Sequence, residues 1–189
     1  MTDKQARRFV SRGGEKLAAA IDAFDIRVAM RTCLDFGSHV GGFVDCLLQY
    51  GAASVTAVDP GYGVLDYRLR VDPRVTVRER TNALRFFATS LYDLITIDVG
   101  WTPQRLVLPV AMRCLKPDGV GVITLIKPHY EAPKDWLAGG VLLEARRDEV
   151  MRQCREDVHE LGWTITAEIE SPLPGHGGNR EALWYLRRA

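Results

Sequence analysis

One segment near the start of the chain joins an apolar strand pattern to a glycine-rich turn and a helical pattern. The apolar run 33–36 precedes the turn, and apolar residues within 43–50 follow the i, i+3, i+4, i+7 spacing of an amphipathic helix. Gly51 is positioned to end that helix, and a second apolar run, 54–58, leads into Asp59. The turn glycines are Gly37, Gly41 and Gly42. This order predicts a βαβ unit with an acid after its second strand.

The glycine turn and the acid predict a binding site for a ligand that contains a ribose. Glycines permit a tight turn and a close approach of backbone to ligand, and an acid at this point of a βαβ unit usually binds ribose hydroxyls. The spacing is G-x-x-x-G-G rather than the dinucleotide pattern G-x-G-x-x-G, and the turn carries no P-loop lysine. We therefore expect S-adenosylmethionine (SAM), which has no phosphates, rather than NAD or ATP. The alternative is that the glycines only close a loop of a parallel sheet.

Hydrophobic patterning over the rest of the chain predicts a doubly wound α/β sheet. Helical patterns at 11–24, 103–115 and 148–161 alternate with strand-like runs. The strand-like runs are 33–36, 54–58, 75–78, 94–97, 120–126, 163–169 and 182–187. The last two runs flank 171–179, a segment rich in proline and glycine, so we expect an antiparallel pair joined by a functional loop. Pro109 predicts a kink in the second of these helices.

Size and composition fit one globular domain. The chain has 189 residues, 47% of them hydrophobic, and no apolar run reaches membrane-spanning length. The amino terminus is polar and lacks a secretion signal, so we expect a cytoplasmic protein. The cysteines, Cys33, Cys46, Cys114 and Cys154, form no C-x-x-C pair and are expected to be reduced and buried.

A net charge of +1 is weak for a nucleic-acid binder, but the first residues are basic, at Lys4, Arg7, Arg8 and Arg12. A local basic patch and a solvated tail without a partner are both open.

Two charged residues follow predicted strands at the edge where ligands bind. In open α/β sheets that edge lies outside the carboxyl ends of the strands. Asp98 follows 94–97, and Lys127 follows 120–126. Burial in the apolar run lowers the pKa of such a lysine, whereas nearby carboxylates raise it. The balance of the two effects decides whether the lysine can act as a base. The alternative is a lysine whose stem covers apolar surface while its ammonium reaches solvent.

Collinear motifs along the chain resemble the FtsJ-like ribosomal RNA methyltransferases, most closely the methyltransferase domain of the TlyA (hemolysin A) group. The matching segments are 10–17, 34–43, 57–59, 79–82, 97–99, 106–109, 115–117, 126–128 and 178–181. The resemblance implies a Rossmann-like SAM-dependent methyltransferase fold, with a doubly wound, mostly parallel sheet of seven strands and an antiparallel carboxyl-terminal strand. The methyltransferase domain is expected over 11–189, after a basic tail or linker at 1–10.

The resemblance also implies an active site for methylation of a ribose 2′-oxygen. The Lys-Asp-Lys-Glu tetrad of the family falls on Lys16, Asp98, Lys127 and Glu181. Lys127 is then the base for the 2′-hydroxyl, Asp98 and Glu181 orient it, Lys16 positions the acceptor, and no metal is needed. The implied cofactor-binding residues are Gly37, Ser38, Gly41, Gly42, Phe43, Asp59, Asn82 and Asp98. Asn82 is expected beside the adenine, Asp98 near the methionine end, and Asp35 as a support for the turn.

Departures from the family pattern concern the substrate more than the cofactor. Residues 39–40, His-Val, replace small residues, and 100–103, Gly-Trp-Thr-Pro, replace an aliphatic and aromatic stretch. Aromatic residues near the site could stack on a splayed base or pack at the sheet edge; they are Trp101, His129 and Tyr130. TlyA-like proteins carry an amino-terminal S4 RNA-binding domain, and here we expect only its linker, at 7–10. Either this domain binds RNA together with a partner, or the sequence is a truncated form.

The sequence therefore predicts a SAM-dependent RNA 2′-O-ribose methyltransferase that acts on ribosomal RNA or a ribosomal subunit. One alternative is a SAM-dependent methyltransferase of a small hydroxylated molecule. A second is a hemolysin-like membrane-active protein, which no cationic amphipathic helix or spanning segment supports. A third is a binding module without catalysis, against which the complete tetrad argues.

Overall fold

The computed structural model describes residues 8–189, which form a seven-stranded sheet with helices on both faces. The predicted basic residues Lys4 and Arg7 lie outside the described residues. The strands are β1 (Thr32–Phe36), β2 (Ser54–Val58), β3 (Val75–Arg78), β4 (Leu94–Ile97), β5 (Gly121–Ile126), β6 (Leu137–Ala138), β7 (Val141–Leu142), β8 (Trp163–Glu170) and β9 (Ala182–Arg188). The helices are α1 (Arg12–Ala23), α2 (Gly42–Gln49), α3 (Tyr67–Arg70), α4 (Gln104–Cys114), α5 (Pro128–Glu131) and α6 (Arg147–Glu160).

The strand order confirms the predicted doubly wound topology. The sheet runs β3-β2-β1-β4-β5-β9-β8, with β1 to β5 parallel and β9 antiparallel to both of its neighbours. Strands β6 and β7 form a separate hairpin. The chain leaves β1 toward β2 on one side and later returns to β4 on the other, so the topological switch point lies between β1 and β4. Ligands bind at this point in open α/β sheets.

Alternation along the strands divides the core between the two faces of the sheet. Cys33 belongs to the apolar cluster that packs with α1 and α2, whereas its neighbour Leu34 belongs to the cluster that packs with α4 and α6. The largest fully buried side chains are Trp163 and Trp184, in the antiparallel part of the sheet. The four cysteines are buried and unpaired, as predicted.

The helix boundaries follow local signals, with one exception. Gly51, at φ +86°, ends α2 as predicted, because its left-handed conformation costs glycine little. Helix α4 continues through Pro109 without interruption. Ser11 occupies the N-cap position of α1, but its hydroxyl makes no capping hydrogen bond there. Its Oγ lies against Gly42 instead. Within residues 8–189, no helix is both long and apolar enough to cross a bilayer.

Candidate active site

The glycine turn lies at the switch point because the ends of β1 and β4 are in register. Phe36 pairs with Ile97, so the residues that follow these two strands, Gly37 and Asp98, are neighbours. Gly37 has φ +85°, and a Cβ there would overlap the carbonyl group of Asp98. Only glycine therefore fits at this position. The amides of Gly37 and the next residue, Ser38, both donate to the carbonyl of Val58, which ties the turn to β2.

The other two glycines are required by packing inside the protein. Gly41 has φ +104°, and a Cβ there would overlap leucine side chains of the segment 65–69. A Cβ on Gly42 would overlap the Ser11 side chain at the start of α1. The sequence pattern predicts that these glycines allow a close approach of the ligand. In the structure the close approach is between the turn and α1, and Gly41 lines neither of the cavities described below.

Asp59 follows β2 and binds the glycine turn through backbone amides. Its Oδ2 accepts from the amide of His39 at 2.8 Å, and its Oδ1 accepts from the amide of Gly61 at 2.7 Å. His39 contributes through its backbone, at φ +45°, while the residue itself is exposed. Each carboxylate oxygen can accept a second hydrogen bond, so Asp59 retains capacity for ribose hydroxyls.

Two cavities adjoin the turn and share Gly37, His39 and Asp98. The larger, of about 530 Å³, is lined by Gly37, His39, Val58, Asp59, Pro60, Asn82, Ala83, Asp98, Val99, Gly100, Trp101, Thr102 and Lys127. The smaller, of about 220 Å³, is lined by Ser11, Arg12, Gly13, Lys16, Gly37, Ser38, His39, Val40, Gly42, Phe43 and Asp98. The predicted cofactor residues other than Gly41 therefore surround one continuous region.

The predicted tetrad forms two lysine–carboxylate pairs. Lys127 Nζ lies 2.6 Å from Asp98 Oδ1 and donates to the carbonyl of Val99 at 3.0 Å. Lys16 Nζ lies 2.5 Å from Glu181 Oε2, and the side chains of this second pair are only 11% and 4% exposed. Glu181 thus contacts Lys16 and not Lys127, which differs from the role that the resemblance implies for it. Asp98 lines both cavities, Lys127 lines the larger one, and Lys16 lines the smaller one.

A buried acid, Asp35, lies beneath the turn. It is fully buried in β1, and its Oδ1 accepts a hydrogen bond from the Thr96 hydroxyl at 2.6 Å, whereas its Oδ2 has no partner within residues 8–189. Burial raises the pKa of Asp35 to about 8, opposed by the Thr96 hydrogen bond and reinforced by the charges of Asp98 and Asp59. The carboxyl group is therefore mostly protonated at neutral pH, consistent with a supporting role.

Replacing Asp35 by Asn should remove a pH dependence of stability. The carboxyl ionises near pH 4 in the unfolded chain and near pH 8 in the folded protein, so unfolding releases a proton between these values. The free energy of unfolding of the wild type should therefore fall, relative to Asp35→Asn, by up to about 1.4 kcal/mol per pH unit. Urea unfolding of both proteins at several pH values from about 5 to 8 measures the difference. A difference that does not change with pH contradicts the prediction.

One aromatic residue, Trp101, lines the larger cavity, and Tyr130 and His129 lie behind it. Trp101 is 80% exposed and at φ +54°, and its ring centroid lies 4.7 Å from that of Tyr130. His129 is buried, its Nδ1 has no partner within the described chain, and its ring lies 4.2 Å from Tyr130. Burial and the charge of Lys127 lower the pKa of His129 to about 4, so the imidazole is neutral. Exposure therefore favours Trp101 for base stacking, whereas His129 is packed inside.

The loop that precedes Glu181 is held by a buried amide whose role the sequence analysis missed. Asn179 Oδ1 accepts from the amide of Leu142 at 3.0 Å. Its Nδ2 donates to the carbonyls of Gly140 and His176, at 3.1 and 2.9 Å. These bonds join the β6–β7 hairpin to the loop. The available signal was an amide side chain within a glycine-rich loop, where backbone groups need partners from side chains.

Replacing Asn179 by Ala should loosen this junction. Three backbone groups lose their side-chain partner, which should lower the free energy of unfolding by about 2 kcal/mol or more. Hydrogen exchange should accelerate in the hairpin 137–142 and in the loop before Glu181, and less elsewhere. Mass spectrometry of exchanged peptides reads this out, with exposed Arg152→Ala on α6 as the control. Unchanged protection of both segments is the opposing result.

Comparison with known proteins identifies the family of the chain. A model of the FtsJ-like methyltransferase family matches residues 9–188. The 16S/23S rRNA (cytidine-2′-O)-methyltransferase TlyA of Mycobacterium tuberculosis is 42% identical, and the match covers 99% of this chain and 71% of that protein. Hemolysin A of Brachyspira hyodysenteriae is 35% identical, over 93% of this chain and 75% of that protein.

A solved structure has a fold very similar to that of this chain. A Streptococcus thermophilus protein with a provisional hemolysin name has a TM-score of 0.92 and 32% identity, over 98% of this chain and 69% of that one. The family match spans nearly all described residues, including both lysine–carboxylate pairs and the glycine turn. The chain therefore belongs to the FtsJ-like methyltransferase family, whose members are SAM-dependent enzymes.

Proposed function

We propose that this protein is a SAM-dependent 2′-O-ribose methyltransferase of ribosomal RNA. The observation that carries the proposal is Lys127, whose Nζ is held at 2.6 Å from Asp98 and 3.0 Å from the Val99 carbonyl, on the wall of the larger cavity. A ribose hydroxyl is a weak nucleophile at neutral pH, so its methylation calls for an aligned base. The name of the Mycobacterium tuberculosis relative supports ribosomal RNA as the substrate.

The cavity fits a cofactor that carries positive charge and no phosphate. Two carboxylates, Asp59 and Asp98, line it, and its one cation, Lys127, is already paired with Asp98. A phosphate would be repelled by this lining, whereas the sulfonium and amino groups of SAM suit it. Asp59 would bind the ribose hydroxyls, Asn82 would lie beside the adenine, and Gly37 lets the turn pack directly against the backbone of Asp98. When bound, SAM supplies an electrophilic methyl group attached to a positively charged sulfur.

The chain's own residues would then handle the proton and the alignment. To act as the base, the Lys127 ammonium first releases a proton to solvent; the neutral Nζ then accepts the 2′-hydroxyl proton as the oxygen attacks, and Asp98 stabilises the ammonium that forms again. The bonds to Asp98 and the Val99 carbonyl fix the position of Nζ before reaction, so little reorganisation is needed. Lys16, held by Glu181, presents a second cation at the smaller cavity, where it would position the acceptor nucleotide.

Methyl transfer from labelled SAM tests this function. The acceptors are ribosomal subunits, protein-free ribosomal RNA and transfer RNA. Label in RNA is then mapped by alkaline hydrolysis. This cleavage requires a free 2′-hydroxyl, so a 2′-O-methylated position resists it. We expect label on a ribose of ribosomal RNA. Label on a base, or transfer only to small hydroxylated molecules, would contradict the proposal. Arg152→Ala, outside both cavities, should match the wild type.

A further inference from the structure

One face of the sheet at β2 and β3 is not covered by a helix. In β3, Val75 and Val77 pack inward, whereas Thr76 and Arg78 on the opposite face are exposed. The connection 79–93 between β3 and β4 contains a single short 3₁₀ turn, at Ala83–Arg85, and no α-helix. A parallel sheet normally has helices on both faces, so this open face is a deviation that needs an explanation.

The open face forms a groove with a cavity volume of about 1000 Å³, the largest of the cavities described. It is lined by Thr32, Ser54, Thr56, Thr76, Arg78, Thr81, Arg85, Phe86, Phe87, Thr89, Ser90, Leu91, Tyr92 and Lys116. Half of these residues carry a serine or threonine hydroxyl, three are cations, and none of those named is a carboxylate. This composition offers hydrogen-bond donors and positive charge, which is the complement of a phosphate backbone.

Two of the three positive charges in the groove are not neutralised by residues 8–189. Arg78 and Arg85 are exposed and form no ion pair within residues 8–189. Lys116 does have a partner, Asp93, at 2.9 Å. Many other arginines on this protein pair with an acid; examples are Arg68, Arg70, Arg74 and Arg180. The two free guanidinium groups in the groove are therefore available to an external anion.

An exposed aromatic ring accompanies this charge. Phe87 is 87% exposed, and Leu91 beside the same groove is 42% exposed. Single-stranded nucleic acid is bound by cations that follow the backbone together with aromatic rings on which bases stack. Phe87 next to Arg85 provides both elements in one segment.

The groove adjoins the proposed cofactor cavity through one turn of chain. Thr81 and Arg85 line the groove, while Asn82 and Ala83, between them in sequence, line the cavity. An RNA strand that presents a ribose to Lys127 therefore has a cationic surface next to the site onto which its neighbouring nucleotides can extend.

We infer that this groove binds the backbone of a single-stranded segment of the RNA substrate, through Arg78 and Arg85, with a base stacked on Phe87. The inference rests on the proposed function and adds a substrate-binding surface to it. A protein partner would need acidic residues to match the same groove, and the test separates that case from RNA.

The test is equilibrium binding of a short fluorescein-labelled single-stranded RNA, measured by anisotropy over a range of salt concentrations. The double variant Arg78→Ala/Arg85→Ala and the single variant Phe87→Ala are compared with Arg152→Ala, which removes one exposed positive charge elsewhere. We expect the double variant to bind about ten-fold more weakly or worse at low salt, and its log K against log[salt] slope to be shallower by about 1.4, because two phosphate contacts are lost. Phe87→Ala should weaken binding without changing the slope.

A second readout separates this inference from the proposed function. For ribosomal RNA methylation, the double variant should raise KM while SAM affinity and kcat remain those of the wild type. If the wild type methylates RNA but the double variant has wild-type RNA affinity, slope and KM, the groove inference is overturned and the function stands. If the wild type binds RNA through these arginines but transfers no methyl group to it, the proposed function fails and the groove inference stands. If the groove binds a protein partner instead of RNA, the double variant should keep wild-type RNA affinity, slope and KM.

Discussion

Replacing Lys127 by methionine should reduce methyl transfer to RNA by about 10² to 10⁴-fold, the usual contribution of a positioned general base. The methionine removes the Nζ that lies between Asp98 and the Val99 carbonyl but keeps an unbranched side chain in the same place. SAM affinity and the unfolding midpoint should change little, because Asp98 remains partly open to water. Single-turnover methylation with saturating SAM is the measurement, so that binding and chemistry are separated.

A lysine-to-arginine variant tests the role of Lys127 as a base. Arginine keeps the positive charge and the donors toward Asp98 but does not release its proton at any pH at which the protein is folded. Lys127→Arg should therefore be nearly as inactive as the methionine variant. Substantial activity in Lys127→Arg would show that the residue acts only by charge and position. Lys134→Met, at an exposed lysine outside both cavities, is the matched control and should be fully active.

Replacing Glu181 by alanine should lower the free energy of unfolding by about 3–5 kcal/mol. Its partner Lys16 has a side chain that is only 11% exposed, so the variant leaves an ammonium group buried without a counter-charge. Urea unfolding monitored by tryptophan fluorescence gives the value, because the chain has two fully buried tryptophans in the same part of the sheet.

The double variant Lys16→Met/Glu181→Leu shows whether the loss comes from the unpaired charge. Apolar residues of similar volume often replace a buried ion pair with no loss of stability. The double variant should therefore recover most of the stability that Glu181→Ala loses, while methylation stays impaired because Lys16 no longer positions the acceptor. Equal stability of Glu181→Ala and wild type would contradict the prediction, as would a double variant that is less stable than the single one.

The fold could be predicted from the sequence because its signals are local. The inner strands β4 and β5 are short apolar runs, the longer helices α1, α2, α4 and α6 have an apolar face, and Gly51 ends α2 where the pattern stops. The proximity of Gly37 and Asp98 also followed, since these residues come directly after the neighbouring strands β1 and β4. Residues that follow neighbouring parallel strands meet at the same edge of the sheet, so their proximity can be predicted from the strand pattern.

Features that depend on packing between distant segments were not predictable in the same way. The partner of Lys16 is 165 residues away, and the choice of Glu181 over Asp98 depends on how α1 lies against β9. The need for glycine at position 42 likewise comes from the start of α1, not from a ligand. The groove on β2 and β3 is open because the connection 79–93 contains no α-helix that could cover it. No sequence motif indicates that a helix is missing there.

The pair between Lys16 and Glu181 also has a consequence for synthesis of the protein. Residue 181 precedes β9, and β9 is inserted between β5 and β8, so the seven-stranded sheet is complete only after β9 has been made. Until residue 181 has been made, Lys16 lacks the carboxylate with which it pairs. The four predicted residues can therefore come together only after β9 has taken its place in the sheet.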